Sequence, residues 1–249
     1  MNALTKAISQ FWQSSIGKKL VVAITGAILV GFLIAHVGGN MLIFAGREAM
    51  NDYAYFLHHF LHGAGIWIFR AILLGAFVLH IAATIALTKQ NRAAKAESYE
   101  HEATNIASKS SRIMIWSGLT VLAFVVFHIF HFTVRVDPEL AGMKEPSGRH
   151  DVWGMVIVGF QKPLVVLFYF VGISLLCSHL SHGIASIFQT LGWRSRSSSD
   201  AINKLGLAIS IVLWLGFLSI PLAASVAGFG TDQLEATVTD VAETAPEKH

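Results

Sequence analysis

The sequence predicts an all-α integral membrane protein, a bundle of five transmembrane helices. Two observations predict it. Apolar residues make up 54% of the 249-residue chain and charged ones only 13%, against roughly 25% charged in an ordinary soluble domain. The apolar residues also fall into runs long enough to cross a hydrocarbon core, which takes about 20 residues, and short charged segments separate the runs.

Residues 1–18 read as an amphipathic lead, with Phe11 and Trp12 suited to a lipid interface. The first span covers about 20–44, and a polar stretch follows from Gly46 to His62. The second span covers 64–88. The charged segment 89–112 lies outside the bilayer, and the third span covers 113–134. A loop from Arg135 to Lys162 carries Pro138 and Pro146, with a helical stretch expected over 152–160. The fourth span covers 163–191, a basic, serine-rich link runs from Arg194 to Lys204, and the fifth span covers 205–229. Residues 1–230 therefore form one transmembrane domain, and 231–249 an acidic, flexible tail.

Lys6, Lys18, Lys19, Lys89, Arg92, Lys95, Lys109, Arg112, Arg194, Arg196 and Lys204 fall on one side of a five-span chain. Arg47, Arg135, Lys144, Arg149, Lys162 and Lys248 fall on the other, in longer loops. Cytoplasmic loops carry the excess of Lys and Arg. The N-terminus is thus expected in the cytoplasm and the C-terminus outside, in a bacterial cytoplasmic membrane. The net charge of +3 is too small and too dispersed for nucleic-acid binding. One cysteine, Cys177, excludes an internal disulfide and a cysteine-ligated cluster; in an apolar run it reads as a small buried hydrophobe.

The informative feature is one histidine deep in each of the first four spans: His36, His80, His128 and His179. Ionisable groups at that depth are costly and face a bundle interior or a cofactor. Spans one and three run outward, so His36 and His128 lie near the outer face. Spans two and four run inward, so His80 and His179 lie near the inner face. At about 1.5 Å per residue the two pairs are separated by about 10–15 Å along the membrane normal. Two histidines at equal depth on facing helices supply the two axial ligands of a six-coordinate haem. A divalent metal prefers three or four close ligands. His131 and His182 follow His128 and His179 by three, share roughly the same faces, and are alternative ligands. Gly172 and Gly183, on the His179 stripe, would let a flat macrocycle approach and favour His179.

These residues lie in segments that resemble a known family. The segments are SSIGKKLVVAITG (14–26) with FLIAHVGGN (32–40), VLHIAATIALTKQNR (78–92), SGLTVLAFVVFH (117–128) and SHLSHGIASIFQTLGW (178–193). They resemble the large cytochrome b membrane anchor of succinate:quinone oxidoreductases (succinate dehydrogenase and fumarate reductase, respiratory complex II), the kind with one anchor and two haems b. The resemblance implies His36, His80, His128 and His179 as axial ligands of the haem irons, in preference to His131 and His182. It pairs His36 with His128 for the distal haem and His80 with His179 for the proximal one.

It also implies the function. A flavoprotein subunit oxidises succinate, and an iron–sulfur subunit passes the electrons on. The anchor hands them through its haems to a quinone, menaquinone being the expected one. This chain has no dinucleotide fingerprint or cysteine cluster, so no dicarboxylate chemistry resides in it. Arg70 could meet a distal haem propionate or snorkel to headgroups. Gln13, Ser14 and Ser15 stand where the family contacts the proximal propionates, beside Lys18, Lys19 and Arg112, whose other reading is ordinary positive-inside placement, favoured for the two lysines. His182 could bond a propionate or sit at headgroup level. His58, His59 and His62 read as a solvated loop, or as a helical pair of 58 and 62 able to hold a metal or relay protons. The alternative function is a dihaem cytochrome b of another quinone-linked enzyme, such as a hydrogenase or formate dehydrogenase. A haem-free transporter is a third reading; transporters often show broken helices near the midplane, and no span has a central proline.

Overall fold

The computed structural model describes residues 2–93 and 106–234, with the backbone alone for 106–113. Lys95 and the tail from 235, and the side chains of Lys109 and Arg112, lie outside the described residues. The chain starts with helix α1 (Ala3–Gln13), capped by Asn2, whose side chain accepts from the Thr5 N–H. Leu4, Ile8, Phe11 and Trp12 are exposed at helical spacing, and none of its residues is buried. Such a helix suits the plane of a lipid interface. Ser14 then breaks the helix in extended conformation and caps the next one, its hydroxyl accepting from the Gly17 N–H at 2.9 Å and donating to Phe11 O at 2.8 Å. Gly17 is needed at this corner, because a Cβ there would stand 2.0 Å from the Phe11 carbonyl oxygen.

Helix α2 (Ser15–Asn40) leads into a 3-10 turn, Met41–Ala45. The polar stretch expected as a loop is mostly helix α3 (Arg47–His59). Helix α3 ends where Leu61, His62 and Gly63 all take positive φ, so His58 and His62 do not share a helical face. The alternative of a helical 58/62 pair is therefore not formed. Helix α4 (Ala64–Ala93) and helix α5 (Ile106–His128) follow, and α5 passes into a π-turn over Ile129–Val134. The connecting loop folds into short helices α6 (Pro138–Gly142) and α7 (Val152–Gly159), the second at the expected place. Helix α8 is Pro163–Thr190, and helix α9 is Ser199–Ser225. Part of the serine-rich link is thus the first turns of α9, which stops short of the expected 229.

Among the described residues, five helices are long and apolar enough to cross a membrane: α2, α4, α5, α8 and α9 with their extensions. Thirty residues of α4 span about 45 Å at 1.5 Å each, enough for a hydrocarbon core of about 30 Å. Large apolar side chains such as Trp67, Leu74, Trp116, Leu119 and Leu164 are exposed along the outer helix faces, a surface that lipid rather than water suits. Among the described residues there is no strand.

Consecutive long helices run antiparallel. Lys18 at the start of α2 donates to Gln90 Oε1 near the end of α4, at 3.0 Å. Gly206 at the start of α9 lies against Ser181 O near the end of α8. We call this the near end and the other the far end. Helices α2 and α8 pack together at the centre, with α4 along α2, α5 along α8, and α9 against α8 and α2. Three glycines allow the closest approaches. A Cβ at Gly172 would meet the Phe124 ring at 2.2 Å, at Gly206 the Ser181 carbonyl oxygen at 2.9 Å, and at Gly216 the Val37 side chain at 2.6 Å.

The far end is closed by a polar network that holds α3 to α7. Asp151, fully buried, caps α7 by accepting from the Gly154 N–H and pairs with Arg47 Nη2 at 2.6 Å. Asn51 donates to Asp151 Oδ1 at 2.8 Å and to Glu145 Oε1 at 2.7 Å, and accepts from the Trp153 N–H at 2.9 Å. Trp153, also fully buried, donates its indole N–H to Ile43 O. Arg149 bridges Glu145 and Asp52 at the rim.

A candidate two-level histidine site

The four intramembrane histidines lie on α2, α4, α5 and α8, at two levels. At the far level the His36 and His128 rings face each other across α2 and α5, 5.9 Å apart between centroids and 78° between planes. Phe32 stacks on His36 at 5.1 Å, and Phe217 of α9 approaches it at 5.7 Å. Asn40 Nδ2 is 3.5 Å from His36 Nε2, at the outer limit for a hydrogen bond, and does not fix the ring.

At the near level each histidine is held by a hydroxyl from a neighbouring helix. Thr25 of α2 stands 3.1 Å from His80 Nδ1, and Ser117 of α5 stands 3.1 Å from His179 Nδ1. Each hydroxyl already donates its hydrogen down its own helix, Thr25 to Val21 O at 2.6 Å and Ser117 to Met114 O at 3.1 Å. A hydroxyl spent on its own helix accepts from the imidazole, and in that arrangement the ring hydrogen sits on Nδ1 and the Nε2 lone pair is bare. That is the tautomer a metal ligand needs.

A glycine follows each hydroxyl. A Cβ at Gly26 would stand 3.4 Å from His80 Cε1, and one at Gly118 3.7 Å from His179 Cε1. These positions let each ring lie close to the neighbouring helix. Thr25–Gly26 precedes His36 by the same spacing as Ser117–Gly118 precedes His128, eleven residues from hydroxyl to histidine. At 1.5 Å per residue the two levels are about 16 Å apart along α2 and α5. Thr25 and Ser117 are absent from the sequence reading, although each stands early in its span at the depth where His80 and His179 arrive late.

The far level has a hydroxyl of its own. Tyr169 of α8 is 3.1 Å from both His128 Nδ1 and His131 Nδ1. The π-turn after His128 brings the second histidine to that hydroxyl, and no periodic pattern announces such a turn. Tyr169 was also missed; as an aromatic in an apolar run it looks like packing.

The remaining expected contacts fall as follows. Arg70 lies over the exposed Trp67 ring at 5.0 Å. Gln13 is exposed and donates to Ser9, and Ser14 is occupied as the α2 cap. Lys18 is buried rather than free on the surface, its ammonium donating to Gln13 O and Gln90. His182 is exposed. Gly172 does not open the backbone to a flat group, because the Phe124 ring covers it; a Cβ at Gly183 would meet nothing within 4 Å. His59 stacks on Tyr55 at 3.7 Å and bonds its carbonyl. Cys177 is buried. Among the described residues, no three His, Cys, Asp or Glu side chains come together to hold a metal. No protein-family model, no curated protein and no solved structure matches the chain.

Proposed function

We propose that the chain is the dihaem cytochrome b membrane anchor of a succinate:quinone oxidoreductase, passing electrons from an iron–sulfur subunit to a membrane quinone. The observation that carries the reading is the doubled pair, Thr25 with His80 and Ser117 with His179, below the His36–His128 ring pair. Metal–imidazole bonds of about 2 Å, with about 1 Å more from nitrogen to ring centre, bring two imidazoles on one ion to about 6 Å between centres. The far pair, at 5.9 Å, fits. At the near level what supports the reading is the hydroxyl held against each Nδ1, Thr25 at His80 and Ser117 at His179, which leaves Nε2 for a metal.

His36 and His128 would hold the distal haem, and His80 and His179 the proximal one. When bound, haem carries single electrons between ferrous and ferric states. Thr25 and Ser117 keep their imidazoles in the ligating tautomer and fix the ring planes. The exposed apolar flanks keep the site within lipid.

The near end faces the cytoplasm in this reading. Lys6, Lys18, Lys19, Lys89, Arg92, Arg194, Arg196 and Lys204 lie there, against Arg47, Arg135, Lys144, Arg149 and Lys162 at the far end. The flavoprotein and iron–sulfur subunits dock at that cytoplasmic end, and the membrane is the bacterial cytoplasmic one. The quinone, menaquinone in the expected case, is reduced or oxidised in the membrane, and succinate chemistry stays in the partners.

Purification in mild detergent tests this. Expected are a b-type alpha band on dithionite reduction, about two haems per chain, and co-eluting flavoprotein and iron–sulfur subunits. Hydrogenase or formate dehydrogenase subunits instead would move the chain to the other quinone-linked class. Absence of the alpha band would remove both readings. His80→Ala and His179→Ala should lose the same haem; loss of different haems would break the pairing.

A further inference from the structure

We propose that Tyr169 is a positioning residue that sets the ligating tautomer of His128 and lowers the reduction potential of the distal haem. The inference rests on the haem reading above and extends it to a residue outside the four ligands. A phenol has one hydrogen to donate, and its oxygen can accept another. Tyr169 Oη stands 3.1 Å from two Nδ1 atoms, so it accepts from one imidazole and donates to the other.

Which way the chain of bonds runs follows from the ring pair. His128 is the histidine that faces His36, and in bonding iron through Nε2 it must carry its hydrogen on Nδ1. His128 Nδ1–H then donates to Tyr169 Oη, Tyr169 O–H donates to His131 Nδ1, and the His131 hydrogen sits on Nε2. The phenol cannot swing away. Tyr169 is only 3% exposed, with Phe160 edge-on at 4.8 Å and Phe124 edge-on at 5.4 Å.

This differs from the near level, where the hydroxyl hydrogens end on backbone carbonyls that cannot exchange roles. At the far level the acceptor is a second imidazole, so His131 is what keeps Tyr169 from donating to His128. An acceptor on Nδ1–H makes the imidazole a stronger donor to the metal and favours the ferric state.

Optical redox titration and low-temperature EPR of the detergent-purified complex test it. Tyr169→Phe keeps the ring and its packing. It should retain both haems, leave the proximal step in place, and raise the ratio of ferrous to ferric distal haem three- to tenfold at fixed ambient potential. That is about 30–60 mV for a one-electron couple. The distal low-spin signal should shift as the His128 plane is released. His131→Leu should loosen the distal haem more than Tyr169→Phe does, since the phenol is then free to donate to His128. The double variant should return to the behaviour of Tyr169→Phe alone. An unmoved distal step with both haems bound, equal movement of both steps, or additive loss in the double variant would overturn the inference and leave the dihaem reading standing. An unsubstituted complex without haem would overturn both.

Discussion

Replacing Asp151 by alanine should destabilise the far end by about 4 kcal/mol. The carboxylate has 1% of its side chain exposed and meets Arg47 Nη2 at 2.6 Å, Asn51 Nδ2 at 2.8 Å and the Gly154 N–H at 3.0 Å. Removing one partner of a buried ion pair costs about 3–5 kcal/mol, because the other charge stays behind without compensation. Arg47 keeps 21% of its side chain exposed; water takes up part of its charge, which puts the pair at the low end of that range. The lost cap of α7 adds about 1 kcal/mol. Equilibrium unfolding in mixed micelles of mild detergent and SDS, followed by far-UV circular dichroism, reads the change. Lys204→Ala is the comparison: its pair with Asp200 is exposed on both sides, and the midpoint should not move. A loss below about 1 kcal/mol for Asp151→Ala would show that the network does not hold α3 to α7 as described.

Acid should weaken the same end in two stages. Burial lowers the His150 pKa from its usual 6.5, so the unfolded chain binds that proton more readily. Its contribution is full above about pH 6.5 and is lost as the pH falls below it. Burial pushes the Asp151 carboxyl up, but the hydrogen bonds from Arg47, Asn51 and Gly154 outweigh it and leave the pKa below its usual 3.8. That contribution is lost only as the pH drops through the acidic range below about 4. His150→Gln should diminish the first stage in a pH series of unfolding midpoints and leave the second; His58, whose pKa burial also lowers, contributes to what remains of the first. If the proposed haems are bound, Thr25→Val and Ser117→Ala should each weaken retention of the near-level one about tenfold or more, as loss of the group holding a ligating imidazole does; pyridine haemochrome assay after prolonged detergent washing should then show about one haem per chain, and unchanged retention would refute the pairing. Gly206→Leu should split α8 from α9, since a Cβ would meet a backbone oxygen that cannot move aside; overpacking of this kind costs about 1–3 kcal/mol, and an unchanged midpoint would contradict the described crossing.

The long helices could be read in the sequence because hydrocarbon imposes a length and a composition, and both are local. The four histidines stood out because a polar ring in such a run needs a reason. Helix α3 was hidden by its polarity: its partners are Asp151 and Glu145, about a hundred residues away, and no local pattern encodes that pairing. Gly172 was misread for the same reason. A missing side chain is visible in sequence, but whether a cofactor or the Phe124 ring fills the space depends on the neighbouring helix. Thr25 and Ser117 lay in view, yet a hydroxyl in a span usually bonds its own helix. Only depth matched across helices distinguishes them.

The eleven-residue step from hydroxyl to histidine on α2 and on α5 carries one more consequence. At about 100° of rotation per residue, eleven residues return the helix to within about 20° of its starting azimuth. Each helix therefore serves both storeys from a single meridian. A substitution along the intervening rungs keeps this register, but one inserted or deleted residue would swing the upper imidazole by about 100° toward lipid or a neighbour. Selection on these two stretches should tolerate changes of letter and reject changes of length.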